Sequence, residues 1–355
     1  MAYIDQILEP PAYGWSDLNG NLIVPSNKQV FKEFLSRMNI FQSRKNWLSL
    51  SSYIWAFALL PFMIIFLTNY FTWWLLPVGF LYSMVGMGSH GTVWFHRYAT
   101  HKAFKFKNAF WRTVTQNLVI KALPDEVYII SHHVHHALSD KPGDPYNAQT
   151  GFLSCFLADA VHNLIARDMD EKRYNRVASL MKDTGVKINT YEQYLKWGSV
   201  SHPLWTWVQL ILNWSFWYGA FYLIGGHALA CCMFGWAHVW ALGVRTFNYE
   251  GHGKGEDMRQ EGFDFNIHDF SINQYWPGYV AGEWHSNHHM FPGSARNGFT
   301  PRQLDLPWYY IKFLHAIGGI SQYRDSKQVF LEKYYNPYKK AKKAKKLERK
   351  QAAVA

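Results

Sequence analysis

The chain has 355 residues, of which 49 % are hydrophobic, 18 % aromatic and 17 % charged, and its formal net charge is +11. Three cysteines, two of them adjacent (Cys231, Cys232), exclude a disulfide framework, and there is no CxxC or Cys/His zinc pattern. Much of the positive excess lies in KKAKKAKKLERK, Lys339 to Lys350. This tail (339–355) reads as a surface for anionic lipid head groups or as a solvated end, and not as a nucleic-acid arm.

In chain order, MAYIDQILEPP lacks a basic segment followed by an apolar run, so no cleaved signal peptide is expected. Residues 1–46 form a lead-in with a short amphipathic stretch at 30–38. From Asn46 to His96 there is no Lys, Arg, Asp or Glu, and the same holds from Trp197 to Val244. Each window accommodates two spans of about 20 residues. The expected spans are 47–68 and 71–93, turning at Asn69 and Tyr70, then 204–224 and 227–247, turning at Gly225 and Gly226. Of the 36 Lys and Arg, 5 precede Asn46, 14 lie between Arg97 and Lys196, and 17 lie from Arg245 onward. None falls in a hairpin turn, so both termini and the segments 1–46, 94–203 and 248–355 are expected on the cytoplasmic side. The chain thus reads as one all-α integral membrane domain: four transmembrane helices in two hairpins under a cytoplasmic helical cap.

Between and after the hairpins, 110–121 is moderately apolar and 129–137 is expected to be helical. KPGDPYN (141–147) reads as a turn, 152–165 as a helix lying on the membrane, and 166–196 as charged and helical. A further apolar-aromatic helix is expected within 304–320.

Eight of the seventeen histidines recur at two spacings, H-x4-H and H-x2-H-H, in three clusters: HRYATH (His96, His101), HHVHH (His132, His135, His136) and HSNHH (His285, His288, His289). At about 100° per residue, positions i, i+3 and i+4 share one helix face. Each HxxHH can therefore aim three imidazoles at one point. His96 and His101 lie about 140° apart on an ideal helix, so they are expected to straddle a helix end or to bend around a metal. Neutral imidazole suits iron, zinc and copper, and eight such groups exceed the needs of one ion, which implies two metals. The topology puts all three clusters on one side of the membrane. His252 in NYEGHGKG is a further candidate ligand, and His133 is expected to face elsewhere. His90, His227 and His238 lie within or beside the spans, where histidines are functional candidates or hydrogen-bond across helices. His162, His202, His268 and His315 have no partner spacing.

At these residues the chain resembles the membrane-bound fatty acid desaturases, in particular the stearoyl-CoA desaturase-like, delta-9 type. The resemblance runs from about Phe57 to Gly319. HRYATH, HHVHH and HSNHH match the three family boxes in order and spacing, DPYN (144–147) resembles a segment after the second box, and GEWHSNHHMFPGSARNG (282–298) resembles the bacterial branch. The N-x3-H of Asn248 and His252 matches an element that supplies a ninth histidine and a water-linked asparagine. The resemblance implies a non-haem di-iron centre (two Fe2+, with O2 as co-substrate) held by His96, His101, His132, His135, His136, His252, His285, His288 and His289. Asp140, Asp144, Glu250 and Glu283 are candidates to orient the rings. It also implies desaturation of a long-chain acyl-CoA or acyl-lipid, and a bacterial inner membrane in preference to endoplasmic reticulum. No HPGG element of a fused cytochrome b5 is present, so electrons are expected from a separate donor such as ferredoxin, rubredoxin or cytochrome b5 with its reductase.

Two features depart from the family pattern. Trp94 and Phe95 precede the first box where small residues are usual, and NYEGHG resembles an NYxEHYG element of membrane alkane hydroxylases. A di-iron hydroxylase of alkyl or acyl chains is therefore the second reading. A metal transporter would need ligands near the membrane midplane, and the clusters lie outside the spans.

Overall fold

The computed structural model describes residues 3–255, 284–301 and 303–352. Most of this chain is helical, as long uncharged segments require: away from water, backbone N–H and C=O groups need internal partners. Two helical runs are long and apolar enough to cross a membrane, Arg44–Asn69 and Pro203–Gly251. The first joins the helices Trp47–Phe57 and Leu60–Asn69. The second is broken at Gly225 (φ −146°, ψ 23°) and Gly226 (φ 64°, ψ −163°). Gly226 takes a left-handed φ that a side chain would oppose. The break reverses the chain: Trp214 and Phe234 bring their ring centroids to 5.7 Å, whereas twenty residues of straight helix would part them by about 30 Å. Tyr218 and His227 close the turn with a 2.8 Å hydrogen bond.

The segment expected as one span over 71–93 is less regular. An α-helix over Leu75–Leu81 continues as π-helix over Tyr82–Met87, a turn of α-helix over Gly88–Gly91, and π-helix again over Thr92–Thr100. Glycines allow these runs to pack closely. The Trp236 ring occupies the place of a side chain at Gly79, and the Met63 backbone lies against Gly235. The His238 ring donates from Nδ1 across helices to the Ala56 carbonyl at 2.7 Å.

Several expectations outside the spans need correction. The amphipathic stretch is the helix Asn27–Met38, opened by a Ser26/Gln29 capping box. The expected surface helix 152–165 is instead two short helices, Phe152–Phe156 and Ala158–Val161. Leu157, Ala160 and Val161 pack on Val30 and Tyr53, so the apolar face covers protein. Asp159 turns inward to the buried Arg245 at 2.9 Å. The region 166–196 is helical only over Glu171–Ala178, Ser179–Met181 and Tyr191–Trp197, broken by left-handed Asp183 and Gly185. The helix within 304–320 spans Leu306–Ala316, and the basic tail belongs to a helix, Asn336–Ala352. Two short antiparallel strands, Phe104–Phe106 and Ile320–Tyr323, were not expected. They tie the chain after the first histidine cluster to the chain after the third.

Arg245 also reaches the Ser52 carbonyl and hydroxyl, both at 3.2 Å, and lies over the Tyr53 ring. Replacing Asp159 by Ala leaves this buried guanidinium without its counter-charge, which should cost about 3–5 kcal/mol. A thermal melt of the purified variant in detergent should show a markedly lower midpoint.

Candidate metal centre

The second cluster lies on the helix Asp125–Leu138, the third on the short helix His285–Met290, and the first at the end of the π-helical run. The π winding resolves the 140° problem. The His101 amide donates to the His96 carbonyl at 3.1 Å, an i+5→i bond, and the extra residue per turn brings the two rings onto one side, 5.1 Å apart. His252 follows directly on the helix Phe247–Gly251, its amide bonded to the Asn248 carbonyl.

All nine candidate histidines converge, and they form two groups: His96, His101, His132, His136 and His288, then His135, His252, His285 and His289. Within each group the potential ligand atoms all lie within 4.8 Å of one another. This corrects one expectation. An HxxHH segment does not aim its three rings at one point; His132 and His136 join one group and His135 the other, and His288 parts from His285 and His289. Positions i and i+4 stay together while i+3 swings to the neighbouring group. His133 belongs to neither group.

The contacts within each group run through Nε2. His96–His288 is 2.7 Å, His288–His136 2.8 Å, His136–His132 3.1 Å, His285–His252 2.9 Å, His289–His285 3.1 Å and His252–His135 3.2 Å. Imidazole nitrogens about 2.0–2.1 Å from one ion sit about 3 Å from each other, which is the spacing observed. Nδ1 faces outward on the two histidines with carboxylate partners: His135 lies 2.8 Å from Asp144 and His252 3.1 Å from Asp140. A neutral ring that donates from Nδ1 presents a lone pair at Nε2. Lone pairs so crowded repel unless a cation stands between them. The His101 Nε2 is buried and has no hydrogen-bond partner among the described residues, as a ligand atom would.

Burial, and then the neighbouring imidazoles, hold His96, His132, His136, His285, His288 and His289 far below the usual histidine range, and His101 at about 3. They are therefore neutral near pH 7, the form that binds metal.

Of the carboxylates expected near the rings, Asp144 lies beside His135 and Asp140 beside His252. Asp144 also accepts from the backbone of Asp140 and Tyr146. Glu250 does not reach a ring in this way: it is 43 % exposed and lies 3.5 Å from Lys254. Asn248 is buried with its Oδ1 unpartnered among the described residues, as a water-linked group requires. Glu283 and His268 lie outside the described residues.

Sequence reasoning missed the residues that fasten the clusters together. Arg97, beside His96, forms a fully buried ion pair with Asp305 at 2.9 Å and donates to the Ala295 carbonyl at 2.7 Å. Asp305 accepts from the amides of Asn297, Gly298 and Trp308. Asn287, between two candidate ligands, donates to the Asn297 carbonyl and to Gln303. Gly251 lets the His285 ring approach its backbone, since a Cβ there would stand 2.9 Å from that ring. The only signals were the Arg inside HRYATH and the Gly directly before His252.

The depressed histidines fix the sign of a pH effect. In the unfolded chain these imidazoles take up protons near pH 6.5; in the folded chain they do so only at lower pH. The unfolded state then binds more protons, so the stabilising contribution is complete above about pH 6.5 and is lost as the pH falls. Metal-free protein should melt at a lower temperature at pH 5.5 than at pH 7.5, and an equal midpoint at both would contradict the buried, neutral cluster.

Residues 71–329 match the fatty acid desaturase family model. The chain is 30 % identical over 265 residues to the chloroplastic palmitoyl-monogalactosyldiacylglycerol delta-7 desaturase of Arabidopsis thaliana, covering 70 % of this chain and 62 % of that protein. It is 30 % identical over 267 residues to the acyl-CoA C20 delta5-desaturase of Anemone leveillei, covering 72 % and 75 %. To the delta-9 acyl-lipid desaturase 2 of Arabidopsis thaliana it is 27 % identical over 266 residues, covering 70 % and 74 %. The chain, with its paired histidine groups and its membrane-length helices, belongs to the fatty acid desaturase family of membrane-bound oxidoreductases.

Proposed function

We propose that the nine histidines hold two iron ions, five at one and four at the other, and that the protein inserts a double bond, at delta-9, into a long-chain saturated acyl group. The observation that carries this reading is the division of the nine rings into two groups with Nε2 turned inward. The overall change takes two hydrogens from neighbouring methylenes, with one O2, two electrons and two protons consumed and two waters formed. The electrons come from a separate donor protein. Iron held by imidazoles, supplied with dioxygen, provides an oxidant equal to an unactivated methylene, which side-chain acids and bases cannot attack.

The chain's own residues keep this site assembled and dry. Asp144 and Asp140 fix the ring planes of His135 and His252 and keep a proton on Nδ1, which makes each Nε2 a better donor. Arg97 and Asp305 hold the third cluster against the first. Trp284, fully buried, donates to the Leu304 carbonyl and anchors the start of the third-cluster helix.

We also infer four spans, with both termini and the histidine clusters on the cytoplasmic side. The reversal at Gly225–Gly226 supports the second hairpin, and the distribution of Lys and Arg supports the sidedness. The named activities of the relatives span delta-9, delta-7 and delta5 positions and both acyl-lipid and acyl-CoA carriers, so double-bond position and carrier are tested directly.

Purified protein should hold about two irons per chain, and expression with an electron donor should yield cis-monounsaturated C16 or C18 chains. His135→Ala and His288→Ala should abolish the product, and Asp144→Asn should weaken metal retention about 10–100-fold. Full activity with one tightly held zinc, or hydroxylated chains as the main product, would refute the assignment. Reporter fusions at Asn69 and Gly226 should report the outer side, and one at Lys182 the cytoplasmic side.

A further inference from the structure

The segment between the first and second clusters carries five Lys and Arg, from Lys102 to Lys121, and reads as wholly cytoplasmic. Its hydrogen bonds say otherwise. The Trp217 indole donates to the Asn117 carbonyl at 3.0 Å, and Asn213 donates to the Val119 carbonyl at 3.0 Å while accepting from the Lys121 amide at 2.9 Å. The Trp214 indole donates to the Lys121 carbonyl at 2.8 Å. From the opposite hairpin, the Tyr82 hydroxyl accepts from the Ile120 amide at 3.1 Å. Tyr82 and Trp214 are the central residues of the proposed spans 71–93 and 204–224. Two independent rulers thus put residues 117–121 within one side-chain length of the span midpoints.

We infer that residues 109–124 form a re-entrant arm that dips from the cytoplasmic side into the bilayer and returns as the second-cluster helix. The inference rests on the four-span reading above. The descending limb is the helix Ala109–Gln116 and the ascending limb begins at Asp125. The limbs lie side by side, since Gln116 donates to Asp125 at 3.3 Å. Irregular backbone at membrane depth is tolerated only where protein satisfies its polar groups. The side chains of Tyr82, Asn213, Trp214 and Trp217, all from the spans, do so here. Lys121, a charge otherwise costly at this depth, is buried against Asp125 at 3.0 Å, and Asp125 also receives the Trp94 indole at 2.7 Å.

The occupant of the arm's outer face is lipid. Phe110 and Val114, one turn apart on the descending limb, are 65 % and 39 % exposed. Arg112, on the other side of that limb, points away toward the Asp183 carbonyl of the cap, at 3.5 Å. This polarity suits a helix with one face in hydrocarbon and the other toward water. The base of the second-cluster helix then stands inside the bilayer, so an acyl chain approaches the histidines without leaving hydrocarbon.

The test is nitroxide labelling at Phe110→Cys and Val114→Cys, one at a time, in protein reconstituted into phosphatidylcholine vesicles. Reference labels go at Ile64→Cys and Leu212→Cys, exposed apolar positions of two spans; the native cysteines are all buried. Power saturation should show collisions with oxygen exceeding those with a polar nickel chelate several-fold at Phe110 and Val114, as at the references. Ready access of the chelate to both positions, with the references still in lipid, would overturn the arm and leave the topology standing. Chelate access at the references as well would overturn the four-span reading and the arm with it.

Discussion

The structure depends on a crowding: nine imidazoles from four stretches of chain, with nitrogens turned inward at about 3 Å. Burial keeps seven of these rings, those of His96, His101, His132, His136, His285, His288 and His289, unprotonated, and where the inward nitrogen carries the lone pair, crowded neighbours repel. Cations relieve the repulsion when bound, but without them the protein must hold the rings by covalent geometry and outer bonds. The surroundings do this. The π winding carries His101 round to His96, the Arg97–Asp305 pair ties the first cluster to the chain after the third, and the strand pair Phe104–Phe106 with Ile320–Tyr323 repeats that tie a few residues further on. Each connection costs desolvation or an irregular backbone, and each acts on the same few rings.

The candidate site was unusually legible in the sequence because its residue type is rare and its spacing is helical. Eight rings came from three clusters, and His252 came from the element it shares with Asn248. The partition was not legible. Whether i+3 joins i and i+4 or a neighbouring group depends on where other chains bring their nitrogens, and that is a tertiary fact. The fasteners were hidden for the same reason: Arg97 and Asp305 stand far apart in the chain, and nothing local marks either as half of a buried pair. Glu250 shows the converse error, since proximity in sequence to His252 did not bring its carboxylate to a ring.

The fold divides in a similar way. The Gly225–Gly226 pair in its uncharged window marked the place where the long helical run breaks and reverses, because apolar runs of that length have few alternatives to helix. Segment 152–165 misled because an apolar face fits lipid and protein equally well; only the partner decides, and here Val30 and Tyr53 take it. Asp159 is drawn inward by the buried Arg245, which lies far from it in the chain.

The two histidine groups differ in more than number. Both carboxylates identified beside the rings, Asp140 and Asp144, serve the four-histidine group, through His252 and His135. A ring that donates to a carboxylate is a more basic ligand, so this group compensates in donor strength for having one nitrogen fewer. The Asn248 oxygen, unpartnered among the described residues, lies one helical turn before His252 in the same element, and in the proposed reading a water between it and that group's ion would make up the missing ligand. The asymmetry is thus built from one short loop, Asp140 to Asp144, and one short helix, Phe247–Gly251. The loop follows the largely buried helix Asp125–Leu138, and the short helix ends the long run that begins at Pro203.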